Sequence, residues 1–128
     1  MTDAVFGTTV FIDSYNRFAG AISLMEAASA GRLAAAYSSM SVFELWAQEM
    51  SRDEETYHRA NPIFLREVPF TSDLAVQVGF WLRSATRPQR LRLAADAMVA
   101  ATAASLGATI YTRNPRDFTR FYTDVQAY

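Results

Sequence analysis

The 128-residue chain has no cysteine, no lysine and a single histidine, His58. Without cysteine it can form no disulfide, no thiolate metal site and no cysteine nucleophile. Without lysine it can form neither a Schiff base nor a P-loop, and one histidine cannot build an imidazole zinc site. Any bound metal must therefore be held by oxygen atoms, which favours Mg²⁺ or Mn²⁺. His58 lies among charged residues, and we expect it on the solvated surface.

Long apolar runs are also missing. No stretch is long enough to span a bilayer, and no basic residue precedes Arg17, so a signal peptide is not expected and the cytoplasm is the default location. With 51% hydrophobic residues, the chain is expected to bury a core and to form one domain over residues 1–128.

The net charge of −1 conceals an uneven distribution. Residues 1–64 carry four arginines and eight acids, whereas residues 65–128 carry eight arginines and five acids. Any attraction for a polyanion such as RNA would therefore come from the second half of the chain.

Short β-branched or apolar runs alternate with helical patterns along the chain. Strands are predicted at residues 8–12, 33–37, 67–70, 109–112 and 123–126, and helices follow each of the first four. Residues 86–92 are expected to be a basic loop before the central helix. This alternation predicts an α/β, three-layer sandwich with a short, mostly parallel sheet flanked by helices.

Four acids have both a structural and a functional interpretation. Asp13 directly follows the predicted first strand and resembles a helix N-cap. Glu44 ends a Ser-x-x-Glu pattern typical of a capping box that begins at Ser41. Asp96 has almost only apolar neighbours and could interact with the dipole of a first helical turn. Asp117 lies near a helix start that contains proline.

Capping does not explain why acids follow successive strands, where parallel strands would bring them to one edge of the sheet. A carboxylate cluster repels itself unless protons or a divalent cation neutralise it. Such a cluster suits metal-assisted hydrolysis of a phosphodiester. Neighbouring polar groups could orient water or a carboxylate, and arginines could hold phosphates. These supporting residues are Ser14, Thr112, Asn114, Arg113, Arg116 and Arg120.

Three segments together resemble a known family. They are FIDSYN at 11–16, SMSVFELW at 39–46 and LAADAMVAATAASLGATIYTRNPRDF at 93–118. In sequence and order they resemble PIN domains, and within these the VapC-type toxins of bacterial toxin–antitoxin pairs. The resemblance covers essentially the whole chain, and the third segment is its most specific part.

The resemblance implies that Asp13, Glu44 and Asp96 bind metal, that Asp117 completes the set, and that Asn114 lies beside it. It further implies an endoribonuclease that depends on Mg²⁺ or Mn²⁺, forms a homodimer and is inhibited by a cognate antitoxin. An alternative is a catalytically inert PIN-like module that binds RNA or protein. A phosphoryl-transfer or receiver domain is disfavoured, because such sites use a lysine.

Overall fold

A computed structural model that describes residues 1–128 places the apolar segment Ala4–Phe6 at the centre of a five-stranded parallel sheet. All three residues are buried, as expected of a central parallel strand that is covered on both faces. In chain order the elements are β1 (Ala4–Phe6), α1 (Thr8–Tyr15), α2 (Ala19–Ser29), β2 (Ala35–Ser38), α3 (Ser39–Trp46), α4 (Arg52–Ala60), a 3₁₀ turn (Asn61–Phe64), β3 (Arg66–Val68), α5 (Ser72–Leu82), α6 (Arg87–Leu106), β4 (Thr109–Tyr111), α7 (Arg116–Thr119) and β5 (Val125–Gln126).

The sheet has the strand order β3-β2-β1-β4-β5 and divides the core into two layers. Ala4 and Phe6 pack on one face with residues of α1 and α2, whereas Val5 packs on the other face with Ala100 and Ala103 of α6. This alternation follows from the two-residue period of a strand. The predicted α/β, three-layer sandwich is therefore confirmed, and every strand pair is parallel.

The prediction of a first strand at residues 8–12 is wrong. These residues form most of α1, and the first strand lies earlier, at Ala4–Phe6. Short runs of β-branched and apolar residues fit either a strand or a buried helix, and tertiary contacts decide between them. Here Val10, Phe11 and Ser14 have helical spacing and form part of the buried face of α1.

The remaining sequence predictions differ from the structure mainly at element boundaries. Strands are present near residues 33–37, 67–70, 109–112 and 123–126, and the last of them is an edge strand. The predicted basic loop at residues 86–92 is wrong, because α6 already begins at Arg87. Thr86 and Gln89 form a capping box there, which stabilises the helix start. No helix, including the 20-residue α6, combines the length and the apolar character needed to cross a membrane.

Gly107 ends α6 in the left-handed conformation, with φ of 61°. We expect Gly107→Ala to lower the free energy of unfolding by about 1 kcal/mol, because a Cβ disfavours this conformation. Gly79→Ala is the matched control: it lies inside α5 in open space, so alanine should raise the free energy of unfolding by about 0.5–1 kcal/mol. Urea denaturation of both variants measures the two effects. Equal signs would contradict the prediction.

Candidate active site at the carboxyl edge of the sheet

The chain leaves β1 toward β2 on one side of the sheet and later returns to place β4 on the other side. In open α/β sheets, the crevice outside the carboxyl ends of two such strands is the usual ligand site. A cavity of about 190 Å³ opens at this position. Its polar lining includes Thr8, Glu44, Asp96, Thr112, Asn114 and Asp117. The fold thus brings together three of the four predicted acids and two of the predicted supporting residues.

Glu44 faces this cavity from α3. Its interpretation as part of a capping box is wrong, because the N-cap of α3 is Ser38, whose hydroxyl accepts a hydrogen bond from the amide of Met40. Instead, Oε1 of Glu44 accepts a hydrogen bond of 2.9 Å from the hydroxyl of Thr8. Burial raises the pKa of Glu44, and the hydrogen bond from Thr8 opposes that rise.

Asp96 lies in the middle of α6, so its interpretation as an acid of the first turn is also wrong. Burial, and then the nearby charges of Asp117 and Glu44, raise its pKa from 3.8 to about 6, while Arg120 lowers it. Asp117 and Glu44 are therefore both close enough to Asp96 to repel its negative charge. A positive charge placed in the cavity would relieve this repulsion.

Thr112, Asn114 and Asp117, which lie between the end of β4 and the first turn of α7, also line the cavity. The hydroxyl of Thr112 accepts a hydrogen bond of 3.1 Å from the amide of Asn114. The carbonyl of Asn114 in turn accepts a hydrogen bond of 3.1 Å from the amide of Asp117. Asp117 is exposed, as are the neighbouring Arg116 and Arg120. A turn fixed by its own hydrogen bonds thus presents an acid and an amide to the cavity.

Five of the predicted site and supporting residues do not line the cavity: Asp13, Ser14, Arg113, Arg116 and Arg120. Asp13 is fully buried in α1, where its Oδ2 accepts a hydrogen bond of 2.7 Å from the hydroxyl of Tyr128. Arg113 Nη1 lies 3.1 Å from Asp13 Oδ1, an ion pair in which that oxygen has no hydrogen bond. The expectation that Asp13 follows the first strand is wrong, since it lies within a helix.

The hydroxyl of Ser14 faces other partners. Its hydroxyl donates to the carbonyl of Phe11 and accepts from the hydroxyl of Tyr57. It lines a larger cavity of about 530 Å³, which contains no acid and so offers no comparable chemistry. Another expectation fails nearby: His58 is buried rather than solvated, and burial lowers its pKa.

Sequence reasoning missed three polar residues that line the cavity: Thr8, Thr9 and Gln48. Gln48 lies beyond the end of α3, two residues after Trp46, so the helical pattern gives no signal of its place in the cavity wall. Thr8 was assigned to a strand, so its hydrogen bond to Glu44 was not anticipated.

The acids share the cavity without converging on one point. No group of three or more Asp, Glu or His side chains is placed to hold a metal ion between them. The oxygen donors have the right chemistry for Mg²⁺ or Mn²⁺, but the protein alone does not complete a coordination shell. This incompleteness constrains any mechanism.

No protein-family model matches the chain, and no curated protein matches it. Solved structures do. A toxin–antitoxin complex from Klebsiella pneumoniae is similar, with a TM-score of 0.72, 21% identity and coverage of 97% of this chain and 96% of that one. VapBC2 from Rickettsia felis, bound to a promoter DNA fragment, has a TM-score of 0.73, 16% identity and coverage of 99% of both chains. DNA-bound VapBC from Salmonella typhimurium has a TM-score of 0.67, 20% identity and coverage of 100% and 98%.

Identities this low establish the fold and leave the activity open. The similarity nevertheless spans nearly the whole of each chain. The resemblance of this chain to PIN domains of the VapC type is thereby confirmed at the level of the fold.

Proposed function

We propose that the chain is an endoribonuclease, dependent on Mg²⁺ or Mn²⁺, that acts as the toxin of a toxin–antitoxin pair. One observation carries this proposal: Glu44, Asp96 and Asp117 line a single cavity at the carboxyl ends of β1 and β4. After burial, repulsion from Asp117 and Glu44 contributes to the raised pKa of Asp96. A divalent cation bound near these carboxylates would relieve that repulsion.

The donor set fits an ion that is bound jointly with the substrate. Mg²⁺ is commonly held by one or two carboxylates together with substrate phosphates. Asp96 and Asp117 would hold the ion, and Glu44, fixed by Thr8, would lie beside them. A divalent cation in such a site lowers the pKa of water and neutralises charge on the phosphate.

The residues around the acids suit a polyanionic substrate. Arg116 and Arg120 are exposed beside Asp117 and would bind phosphates next to the one that is cleaved. Arg113 is partly engaged by Asp13, so we assign it mainly to holding the turn that carries Asn114. The proposed substrate is therefore RNA, with its backbone lying across the cavity.

Partners are proposed from the structural similarity. The similar structures are toxin–antitoxin complexes, so we propose that an antitoxin protein binds and inhibits this chain in the cytoplasm. A homodimer is also proposed, since exposed apolar side chains remain on several helices for such partners to cover. These include Phe43, Val76, Phe80 and Leu91.

A second candidate is a catalytically inert PIN-like module that binds RNA or protein. The specific observation in its favour is that no three acids converge to hold an ion. The module would retain the fold and the partner surface without cleaving RNA.

Cleavage of single-stranded and structured RNA by the purified chain separates these candidates. We expect cutting with Mg²⁺ or Mn²⁺, none with EDTA, and at least about a 10-fold loss in Asp117→Asn. Glu49→Gln is the control, because Glu49 is an exposed acid that does not line the cavity. No cutting by the wild-type chain under any of these conditions would favour the inert module.

A further inference from the structure

Gly7 is the residue that directly follows β1, the central strand of the sheet. Its amide donates a hydrogen bond of 3.0 Å to the carbonyl of Tyr111 at the end of β4, so it lies where the two strands diverge. The next residue, Thr8, lines the cavity. This is the place where the sequence pattern predicted an acid after the first strand, and it holds a residue without a side chain.

The backbone at Gly7 would accept a side chain. Its φ of −69° and ψ of 164° are open to any L-residue. A Cβ would lie 3.4 Å from the carbonyl oxygen of Tyr111 and 3.5 Å from Cβ of Thr112, at the limit of ordinary van der Waals contact. Because Thr8 and Thr112 both line the cavity, a side chain at position 7 would enter the wall between them.

Gly7 is also the N-cap of α1, which has no capping side chain. Aspartate is a favoured N-cap residue and would supply the missing hydrogen-bond acceptor. The position is thus permissive for a carboxylate in both conformation and local hydrogen bonding. Glycine there is not required by the fold.

We infer that Gly7 leaves the divalent-cation site one ligand short, so that the free chain binds Mg²⁺ or Mn²⁺ weakly, and that a carboxylate at position 7 completes the site. Of the acids present, Glu44 is engaged by Thr8, which leaves Asp96 and Asp117 as the free carboxylates. A further acid beside them adds both an oxygen ligand and a negative charge, the two quantities that set affinity for hard cations. The inference rests on the proposed metal site.

Binding of Mn²⁺ in the absence of RNA tests the inference, by electron paramagnetic resonance titration and by the shift of melting temperature that Mn²⁺ produces. We expect Gly7→Asp to lower the dissociation constant at least about 10-fold relative to wild type. Gly7→Asn, which has the same shape without the charge, and Gly79→Asp, which adds an acid on exposed α5, should show no such gain. Adding Asp96→Asn to Gly7→Asp should remove most of the gain.

Equal Mn²⁺ affinity in wild type and Gly7→Asp would overturn the inference, and so would a Gly7→Asp chain that remains unfolded with and without Mn²⁺. The proposed nuclease is judged separately, by RNA cleavage. If wild type cleaves RNA in a metal-dependent way but Gly7→Asp does not bind Mn²⁺ more tightly, the inference is wrong and the proposed nuclease stands. If Gly7→Asp binds Mn²⁺ tightly but neither chain cleaves RNA, the inference stands and the proposed nuclease function is wrong.

Discussion

Asp96→Asn is expected to reduce the proposed metal-dependent RNA cleavage by about 100-fold, because it removes one of the two carboxylates proposed to hold the cation. The same substitution is expected to stabilise the fold at neutral pH. Burial and the repulsion from Asp117 and Glu44 raise the pKa of Asp96 to about 6, so its charged form is unfavourable in the folded chain. Asparagine keeps the shape and removes the charge.

The gain in stability should depend on pH. An acid whose pKa is higher in the folded than in the unfolded chain lowers stability as pH rises through the interval between the two values, here from 3.8 to about 6. Since Asp96 is only half-buried, solvent screening reduces the effect, and we expect a gain of about 1–2 kcal/mol at neutral pH. Below the lower value both chains carry a neutral side chain, and the difference should vanish.

Two measurements on Asp96→Asn check this prediction: cleavage rate at saturating Mn²⁺, and denaturant unfolding at neutral and at acidic pH. Glu49→Gln again serves as the control and should change neither quantity. If the variant cleaves RNA at the wild-type rate, Asp96 is not part of the proposed site. A variant that loses stability at neutral pH would show that its carboxylate is not repelled there.

The sequence predicted that acids gather at one edge of the sheet, and Glu44, Asp96 and Asp117 do line a single cavity there. Glu44 lies on an amphipathic helix after a strand, and Asp96 lies on a long helix that ends at Gly107. Asp117 follows the next strand. Hydrophobic periodicity and glycine or proline signals indicate each of these elements. Because the strands are parallel, the three acids are then expected at the same edge of the sheet.

The position of Asp13 could not be predicted in the same way. Residues 8–12 are β-branched and apolar, and such a run indicates a strand as readily as a buried helix. The choice is made by long-range contacts: the amide of Gly7 bonds to Tyr111, and Asp13 bonds to Tyr128. A sequence pattern carries no information about partners more than 100 residues away. The sequence pattern therefore places Asp13 at the end of the first strand, whereas the residue that follows β1 in the structure is Gly7.

Asp13→Ala is expected to lower the free energy of unfolding by about 2–3 kcal/mol, because it leaves the hydroxyl of Tyr128 and the guanidinium of Arg113 without their shared acceptor. The value lies at the lower end for a buried ion pair, since the Arg113 side chain is 48% exposed and can be hydrated. The melting temperature should fall by about 10 °C. Asp13→Asn retains an acceptor for Tyr128 and should lose only about 1 kcal/mol.

The cluster of Asp13, Tyr128 and Arg113 also connects α1 to the segment that lines the cavity. Arg113 is tied to α1 twice, through Asp13 and through its own amide, which donates a hydrogen bond of 3.0 Å to the hydroxyl of Thr9. It directly precedes Asn114, which lines the cavity. Loss of Asp13 should therefore loosen the turn that carries Asn114, and cleavage should fall together with stability.

The two interpretations of Asp13 differ in what Asp13→Asn does. If Asp13 were a metal ligand, as the family resemblance implies, this variant would lose Mn²⁺ binding while remaining nearly as stable as wild type. If Asp13 holds Tyr128 and Arg113, as the hydrogen bond of 2.7 Å and the complete burial indicate, Mn²⁺ affinity should change less than about 2-fold. In that case Asp13→Ala combined with Tyr128→Phe should destabilise less than the sum of the single changes, because either change removes the same hydrogen bond. Additive losses of stability, or a loss of Mn²⁺ binding without a loss of stability, would instead indicate that Asp13 is a metal ligand.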